Sequence, residues 1–424
     1  MRNASSSAAE EMVDALFCIA SEMEVIFSFS SSIVAMARIL AGDFPIDKQA
    51  HQRIMVTAQP KGENMTDYTN RRENLLSRID GDGFITINLE GSDWVSMYYL
   101  SGFTGEGGLV VTKDKTLLIT DSRYTEQAGR EVPELPVHQV RKNYEQEIGA
   151  AISKLGIKRL VLSSRRMSHY LVAKLSEIPG VEVVPAEDPV GELRRIKDAD
   201  EIARIRNATR VTEESLAAVL KEIEPGMTER EIALRLEWLM RTRGAEKVAF
   251  DLIIAAGENS SLPHYQPGDR KVNEGDLLLC DIGARVDHYC SDMTRVFAVG
   301  EPSSKAKEIY DLVLRANRAG VAALRPGATG VEVDAAARDV IAAAGHKEHF
   351  GHGLGHGVGL EVHEFPRLSP LSNAKLAAGM VVTVEPGVYL PGFGGVRIED
   401  LLVVTPDGCE SLTQFPRDRL EVIG

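Results

Sequence analysis

A short stretch of this chain, residues 346–363, combines clustered histidines with alternating glycines. It holds five of the ten histidines, and glycine occupies positions 351, 353, 355, 357 and 359. Because each glycine costs about 1 kcal/mol relative to alanine inside a helix, the stretch is not expected to be helical. Glycine instead lets the backbone pass close to a buried site. The pattern therefore indicates metal coordination and proton transfer, and the alternative is a solvated histidine-rich loop.

Length and composition are those of an ordinary globular protein. The 424 residues predict two or three domains, and the contents of 44% hydrophobic and 26% charged residues are typical of soluble folds. A formal net charge of −14 disfavours nucleic acid as a partner. The four cysteines are few and scattered, which favours a reducing compartment, so we expect a cytoplasmic protein.

The first 64 residues differ from the rest of the sequence. Residues 25–37 form an uncharged run that is too short to span a bilayer. Glu10 and Glu11 precede it, where a signal peptide would carry positive charge. We therefore expect no membrane association. We interpret residues 1–64 as a weakly ordered extension, or as the result of a start assigned upstream of the true one at Met55 or Met65.

Residues 66–188 alternate between strand and helix patterns and predict a small α/β domain. The predicted elements are strands at 84–87, 108–111, 117–120 and 159–162 and a helix at 144–155, with a hairpin turn at 113–115. Pro185 and Pro189 then interrupt the chain.

Residues 190–424 predict a second domain with an internal two-fold repeat. Helices are predicted at 190–207, 212–223, 228–244, 305–324 and 331–344, and strand pairs at 277–297 and 381–404. The third helix begins at a capping box formed by Thr228 and Glu231. The order is helix pair, strands, helix pair, strands. The predicted fold class is therefore α/β (α+β), with two domains.

One of these strand pairs carries two aspartates. A hairpin with its two-residue turn at Val286–Asp287 would place Asp281 directly opposite Asp292, with Cβ atoms roughly 4.5–5.5 Å apart. Two opposed like charges destabilise a strand pair unless a cation lies between them. The alternative is a bulge that turns one aspartate outward.

The second strand pair repeats this arrangement with glutamates. Glu385 and Glu399 flank a glycine-rich turn at similar distances and can converge. Glu385 stands between Val384 and Pro386, where an unpaired charge is costly. Glu399 is followed by Asp400, and the two could instead form a solvated strand end.

The charges of these residues match a pair of divalent cations. Four carboxylates carry −4, two divalent ions carry +4, and His356 adds one neutral imidazole. Such an oxygen-rich set suits Mn²⁺, with Co²⁺ and Zn²⁺ as further candidates. A site of this kind supports metal-assisted amide hydrolysis. The competing single-zinc helix site is disfavoured, because the chain has no His-Glu-x-x-His motif.

Four motifs together resemble the pita-bread metallopeptidases, in particular the aminopeptidase P and prolidase branch. They read Asp-x-Gly-x₇-Ser-Asp-x-Thr-Arg (281–295), Gly-His-Gly-x-Gly-His-Gly-x-Gly-Leu-x-Val-His-Glu-x-Pro (351–366), Val-Glu-Pro-Gly-x-Tyr (384–389) and Arg-Ile-Glu-Asp (397–400). The resemblance covers residues 66–424 and includes Gly-Phe-Thr-Gly (102–105) and Asp-Ser-Arg-Tyr-Thr (121–125). It implies a creatinase-like N-terminal domain over 66–188 and a pseudo-two-fold pita-bread catalytic domain over 190–424.

The resemblance also implies roles for individual residues. The metal ligands would be Asp281, Asp292, His356, Glu385 and Glu399. Glu385 would in addition transfer the proton during hydrolysis. His352 and His363 would hold the substrate and stabilise the tetrahedral intermediate. His264 would lie near the substrate, and Arg397 would pair with a carboxylate or support the site.

The activity implied is hydrolysis of Xaa-Pro bonds in dipeptides or other short proline-containing peptides, by an enzyme that forms a homodimer. A methionine aminopeptidase-like enzyme and a non-catalytic binding protein on the same fold are the alternatives. Arg123 is a candidate for capturing a dipeptide's carboxylate, with a structural strand-end role as its alternative. Tyr265 stands where the family commonly has a small residue.

Overall fold

The computed structural model describes residues 66–424, so the predicted extension at 1–64 lies outside the described residues. The helices are α1 Tyr68–Leu76, α2 Trp94–Ser101, α3 Thr125–Glu131, α4 Tyr144–Lys154, α5 His169–Ser176, α6 Pro189–Arg194, α7 Ala199–Val219, α8 Glu229–Thr242, α9 Ser304–Ala323 and α10 Gly330–Ala343, with 3₁₀ turns at Gly257–Ser261 and Lys347–His349. The strands are β1 Gly83–Asn88, β2 Gly107–Thr112, β3 Thr116–Thr120, β4 Val137–Gln139, β5 Arg159–Ser163, β6 Glu182–Ala186, β7 Lys247–Val248, β8 Ile253–Ala256, β9 Leu277–Ile282, β10 Ala284–Val286, β11 Tyr289–Cys290, β12 Met293–Val299, β13 Gly355–Gly357, β14 Glu364–Leu368, β15 Val381–Val384, β16 Gly387–Leu390, β17 Gly394–Arg397, β18 Asp400–Thr405, β19 Gly408–Ser411 and β20 Glu421–Ile423.

The first part of the described chain forms a mixed sheet of six strands in the order β4-β3-β2-β1-β5-β6. Strands β2 and β3 form the predicted hairpin, in which Val111 pairs with Thr116. Strands β1, β5 and β6 pair in parallel. The predicted helix at 144–155 is present as α4. The α/β character of this part is therefore confirmed.

The predicted division of the next segment into helices at 190–207 and 212–223 is wrong. The structure has a short helix α6 and one long helix α7, and the break falls at residues 195–198. Asp188 and Asp198 cap the two helix N-termini by accepting backbone N–H bonds, which places the break before residue 199. Ala208 and Val211 are buried on the packed face of α7, so the helix continues through the predicted gap.

Two helix pairs, α7–α8 and α9–α10, each precede a sheet, and their second helices begin alike. Thr228 and Thr329 each form a capping box with the glutamate three residues later. Thr228 also bridges to Lys271, and Thr329 bridges to Lys375 in the same antiparallel sense. The sheets that follow have the strand orders β20-β12-β9-β8 and β14-β13-β15-β18-β19. These matched halves confirm the predicted two-fold repeat.

The predicted register of the aspartate hairpin is wrong. Asp281 on β9 pairs with Thr294 on β12, so Asp292 occupies the diagonal position rather than the opposed one. The tight turn lies at Asp287–His288, where both residues have positive φ angles of 47° and 71°. A turn at Val286–Asp287 would require a left-handed conformation of a β-branched valine, which is sterically costly, whereas Asp and His are enriched there.

The two halves share one apolar core, which brings their sheets together. Leu279 and Val296 from the first half pack in the same buried cluster as Val382 and Val396 from the second. The ends of β9, β12, β15 and β17 thereby meet, and these are the strands on which the acidic residues were predicted. None of the helices in residues 66–424 is both long and apolar enough to span a bilayer.

Candidate functional site

A cavity of about 520 Å³ lies where the sheets of the two halves meet. It is lined by all nine predicted site residues, namely His264, Asp281, Asp292, His352, His356, His363, Glu385, Arg397 and Glu399. These residues come from both halves of the repeat and from all four sequence motifs, with His264 outside them. The tertiary structure therefore brings the complete predicted set to a single place.

The two aspartates lie on the same side of the β9–β12 ladder. Asp281 faces Thr294, and Asp292 precedes Thr294 by two residues, so strand alternation points both side chains to the same face. Asp292 is 4% exposed. The Oδ1 atom of Asp281 is buried and accepts no hydrogen bond from residues 66–424. A buried carboxylate oxygen that accepts no hydrogen bond is suited to coordinate a cation.

The two glutamates oppose each other, as predicted. The β15–β18 ladder pairs Val384 with Asp400, and the β16–β17 ladder pairs Gly387 with Arg397. Glu385 and Glu399 lie between these two ladders in the same register. Two threonines orient the carboxylates, because Thr294 donates to Glu399 Oε2 at 2.7 Å and Thr383 donates to Glu385 Oε1 at 3.4 Å. Glu399 thus contacts the partner strand of Asp281.

His356 presents one ring nitrogen to these carboxylates. Its Nε2 lies 3.6 Å from Asp292 Oδ2 and 3.4 Å from Glu385 Oε1. Its Nδ1 lies 3.1 Å from the carbonyl oxygen of Gly357, which favours the tautomer with Nδ1 protonated and the Nε2 lone pair available. Atoms of Asp292, His356 and Glu399 lie within 4.8 Å of one another. This spacing and donor chemistry fit a divalent ion.

Without a bound cation, the site disfavours the ionised form of its own carboxyl groups. Burial, reinforced by Glu399 and Asp281, holds the pKa of Asp292 well above its usual range. Burial and Glu385 do the same to the pKa of Glu399. Burial raises the pKa of Glu385 to about 8. Carboxylates that resist ionisation although they converge on one point indicate a binding site for added positive charge.

The cation within this cluster is Arg397. Its guanidinium donates to Asp281 Oδ2, to the hydroxyl of Tyr389 at 2.7 Å and to Thr294 Oγ1 at 3.0 Å. Arg397 is 3% exposed, so these bonds fix it firmly. Of the two roles expected for it, pairing with a carboxylate and supporting the site, the contacts show both. One buried guanidinium does not offset the charge that four converging carboxylates would carry when ionised.

The histidines His352 and His363 are uncharged near neutral pH. Burial, with Arg397, lowers the pKa of His352 to about 4, and burial also lowers the pKa of His363. The Nε2 of His352 lies 2.9 Å from the Tyr389 hydroxyl. The ring centroid of His363 is 4.3 Å from that of His356. A neutral imidazole has one N–H to donate. That of His363 is available to a reacting oxygen, whereas that of His352 is on Nδ1, which lies 2.8 Å from the carbonyl oxygen of Gly353.

Two side chains at or beside the cavity, Tyr389 and Arg367, were not predicted as site residues from the sequence. Tyr389 joins His352 to Arg397, and its place in the Val-Glu-Pro-Gly-x-Tyr motif was the available signal. Arg367 lines the cavity, is exposed, and forms no ion pair with any residue in the described part of the chain. No sequence signal distinguished Arg367 from other surface arginines. Arg123 instead pairs with Asp121 and Glu106 and does not line the cavity.

Comparisons with known proteins agree with this geometry. Residues 203–406 match the family described as Metallopeptidase family M24, and residues 71–196 match the Creatinase/Prolidase N-terminal domain. An Xaa-Pro dipeptidase of Pyrococcus furiosus is 41% identical over 77% of this chain and 93% of its own length. An uncharacterized peptidase of Bacillus subtilis is 43% identical over 81% of this chain and 97% of its own length.

Solved structures show the same likeness. The crystal structure of an X-Pro aminopeptidase from Thermotoga maritima has a TM-score of 0.79 and 40% sequence identity. It matches 83% of this chain and 100% of its own. The shared architecture therefore extends over both the six-stranded sheet and the repeat that carries the cavity.

Proposed function

Because the chain belongs to metallopeptidase family M24, we propose that it hydrolyses the peptide bond before proline in dipeptides and other short peptides. The proposal is carried by one observation, the convergence of four carboxylates and His356 in a single cavity. Relatives described as an Xaa-Pro dipeptidase and an X-Pro aminopeptidase support the choice of substrate. Residues 66–188 would form the N-terminal domain and residues 190–424 the catalytic domain.

Five residues of this cavity would hold two divalent metal ions, and Mn²⁺ is the ion proposed. They are Asp281, Asp292, His356, Glu385 and Glu399. Four oxygen donors and one imidazole suit Mn²⁺, and Co²⁺ and Zn²⁺ also accept such a set. When bound, the ions polarise the scissile carbonyl and lower the pKa of water.

The chain's own residues would move the proton and bind the developing charge. Glu385 accepts a proton from the attacking water and returns it to the proline nitrogen, which requires protonation in order to leave. His363 donates an N–H group to the oxyanion, and one such donor is typically worth ~3–4 kcal/mol of transition-state stabilisation. His352, whose N–H faces the Gly353 carbonyl oxygen, lines the cavity and would hold the substrate. Arg397 and Tyr389 hold Asp281 and His352 in place. His264 lines the substrate side of the cavity.

Arg367 is the residue proposed to determine which substrate length the enzyme prefers. This exposed guanidinium lines the cavity beside His363 and has no acidic partner in residues 66–424. The carboxylate of a bound dipeptide would supply one, since arginine pairs readily with carboxylates. We therefore propose a preference for dipeptides. Arg367→Gln is expected to raise KM for Ala-Pro more than KM for Ala-Pro-Ala, and an equal change for both substrates would contradict the assignment.

The activity is tested on purified full-length protein that is first stripped with a chelator and then reloaded with Mn²⁺. We expect turnover of Ala-Pro and Ala-Pro-Ala only after reloading. Cleavage of Met-Ala-Ser without cleavage of either proline peptide would favour a methionine aminopeptidase, and full activity after chelation would refute the metal site. We also propose a cytoplasmic homodimer, on the basis of the family resemblance and the free cysteines Cys280 and Cys290. Light scattering measures the oligomeric state.

A further inference from the structure

A network of ion pairs joins the segment 361–364 of the catalytic domain to residues near the six-stranded sheet. Arg166, in the loop after β5, donates two hydrogen bonds to the carboxylate of Glu361, at 2.7 and 2.5 Å. Arg194, at the end of α6, donates to Glu361 at 3.0 Å and also to Glu364. Lys197 donates to Glu364 at 3.0 Å. Both acidic residues are thus held by cations from earlier parts of the chain.

The network is largely buried, and its three cations face three carboxylates, because Asp188 Oδ2 lies 3.5 Å from Nε of Arg166. Arg194, Lys197 and Glu364 are 3%, 4% and 9% exposed. Burial opposes ionisation of Glu364, yet Arg194 and Lys197 lower its pKa to about 2. Charges so far from water keep their geometry, because breaking one pair leaves its partner buried and unpaired. The two hydrogen bonds from the Arg166 guanidinium to the Glu361 carboxylate also fix the relative orientation of the two groups.

The segment that bears these glutamates is also closed on itself. The backbone N–H of Glu361 donates to Glu364 Oε1 at 3.1 Å, and that of Gly359 donates to the Glu361 carbonyl at 3.0 Å. A Cβ at Gly359 would lie 2.6 Å from Glu364 Oε1, so the glycine lets the backbone approach the carboxylate. The turn is therefore braced at both glutamates.

His363 lies inside this braced turn, directly before Glu364. Its ring lines the catalytic cavity and accepts or donates no hydrogen bond to any residue of the described chain. The residue is exposed on one side, and its ring packs edge-on against that of His356, with centroids 4.3 Å apart. The backbone on either side therefore decides whether the ring meets His356 and reaches the cavity. Glu361 and Glu364 control that backbone.

We propose that Arg166 and Arg194 are positioning residues for His363, so that residues from outside the cavity take part in the reaction by holding its oxyanion donor. The inference rests on the proposed function. The contact crosses 195 residues of sequence between Arg166 and Glu361. Rate enhancement by an oxyanion donor depends on sub-ångström placement, and a misplacement of about 1 Å can cost 10²-fold in rate.

The test uses Arg166→Gln in the full chain loaded with Mn²⁺. Arg166 is only partly buried, with 21% of its side chain exposed, so the variant is expected to fold. We expect kcat for Ala-Pro to fall roughly 10- to 100-fold, with Mn²⁺ affinity and KM changing less than about twofold. Arg159→Gln is the matched control, since the ion pairs of Arg159 within residues 66–424 are with the exposed residues Asp80 and Glu182. It should leave kcat unchanged.

A double-mutant comparison separates positioning from a general structural role. If Arg166 acts through His363, then Arg166→Gln should have no further effect on kcat in a His363→Ala background. Arg166→Lys should restore part of the rate, because it retains one charge–carboxylate contact. Equal losses of kcat in both backgrounds, or a lowered melting temperature with unchanged kcat, would overturn the inference.

A second readout does not depend on the proposed activity. The ring resonances of His363, assigned with His363→Gln, should shift in Arg166→Gln and stay in place in Arg159→Gln. If no proline peptide is cleaved by the wild type, the proposed function fails, while this shift still decides whether Arg166 places His363. Unchanged resonances in Arg166→Gln would refute the positioning role on any substrate.

Discussion

The phenol oxygen of Tyr265 lies 2.7 Å from Oε2 of Glu229, a carboxylate that is fully buried at the start of α8. Glu229 has no cationic partner within residues 66–424 and is held by neutral donors instead. Besides the Tyr265 hydroxyl, three neutral groups donate hydrogen bonds to Glu229: the backbone N–H groups of Ala256 and Gly268 and the side-chain amide of Asn259. Glu229 thus ties down both ends of the segment that carries His264, and Tyr265 turns toward this anchor.

Tyr265→Phe is expected to destabilise the protein by about 1–3 kcal/mol, because the buried Glu229 carboxylate loses one of its donors. The ring itself is kept, so cavity shape changes little. Urea unfolding at equilibrium measures the difference. The control is Tyr170→Phe, since Tyr170 is 57% exposed and its hydroxyl lies 3.4 Å from Glu145. A Tyr265 variant as stable as the wild type would show that the anchor is unimportant.

The metal-free protein should lose stability as the pH rises. The pKa of Glu385 is raised to about 8 in the folded state from 4.5, so folding favours its protonated form. That contribution is complete below about pH 4.5 and disappears as the pH approaches about 8. Thermal unfolding of chelated protein between pH 5 and 8.5 measures the loss. Glu385→Gln should flatten the dependence, whereas added Mn²⁺ should reverse it in the wild type, because cations bind the ionised site.

Glu364 should confer the opposite dependence. Its pKa falls from 4.5 to about 2 on folding, so its contribution is present above about pH 4.5 and is lost as the pH falls toward 2. At ~1.4 kcal/mol per pKa unit this amounts to roughly 3–4 kcal/mol. Glu364→Gln should therefore be less stable than the wild type at pH 7 and approach it near pH 2.5. Glu348→Gln, at an exposed position, is the control and should follow the wild type throughout.

The glycines around His356 differ sharply in how much space they have. A Cβ at Gly355 would lie 2.0 Å from the carbonyl oxygen of Thr383, whereas one at Gly351 would meet nothing within 4 Å. Gly355→Ala should therefore destabilise the protein by roughly 3 kcal/mol, because the backbone oxygen cannot move aside easily. Gly351→Ala should be neutral. Denaturant unfolding of the two variants tests this, and equal stabilities would contradict it.

Local sequence patterns were sufficient to predict several of the elements. The capping box at Thr228 and the hairpin between β2 and β3 depend on residues only a few positions apart. Their hydrogen bonds form within that short span, so the sequence pattern is nearly the whole cause. The pairing of Glu385 with Glu399 was predictable for the same reason, since one turn determines it.

The aspartate hairpin shows where such local reasoning needs backbone angles. Counting residues predicted a turn at Val286–Asp287. In the structure the turn lies one residue later, at Asp287–His288, where both φ angles are positive. Valine disfavours the left-handed backbone conformation that such a turn requires. This preference can be inferred from the sequence, but counting residues alone does not take it into account. Asp281 and Asp292 still reach the same face, because alternation along a strand survives the shift.

Long-range contacts were decided by how segments that are distant in sequence pack together. Arg397 meets Asp281 across 116 residues, and Arg166 meets Glu361 across 195. The shifted pKa of Glu385 and the exposure of Arg367 likewise depend on which surfaces are buried together. Burial and charge pairing arise between segments that are distant in sequence. Local sequence patterns do not show which of these segments pack together, so these properties could not be predicted from them. The residue types that line the cavity were thus predictable from the motifs, whereas the residues that hold and orient them required the folded protein.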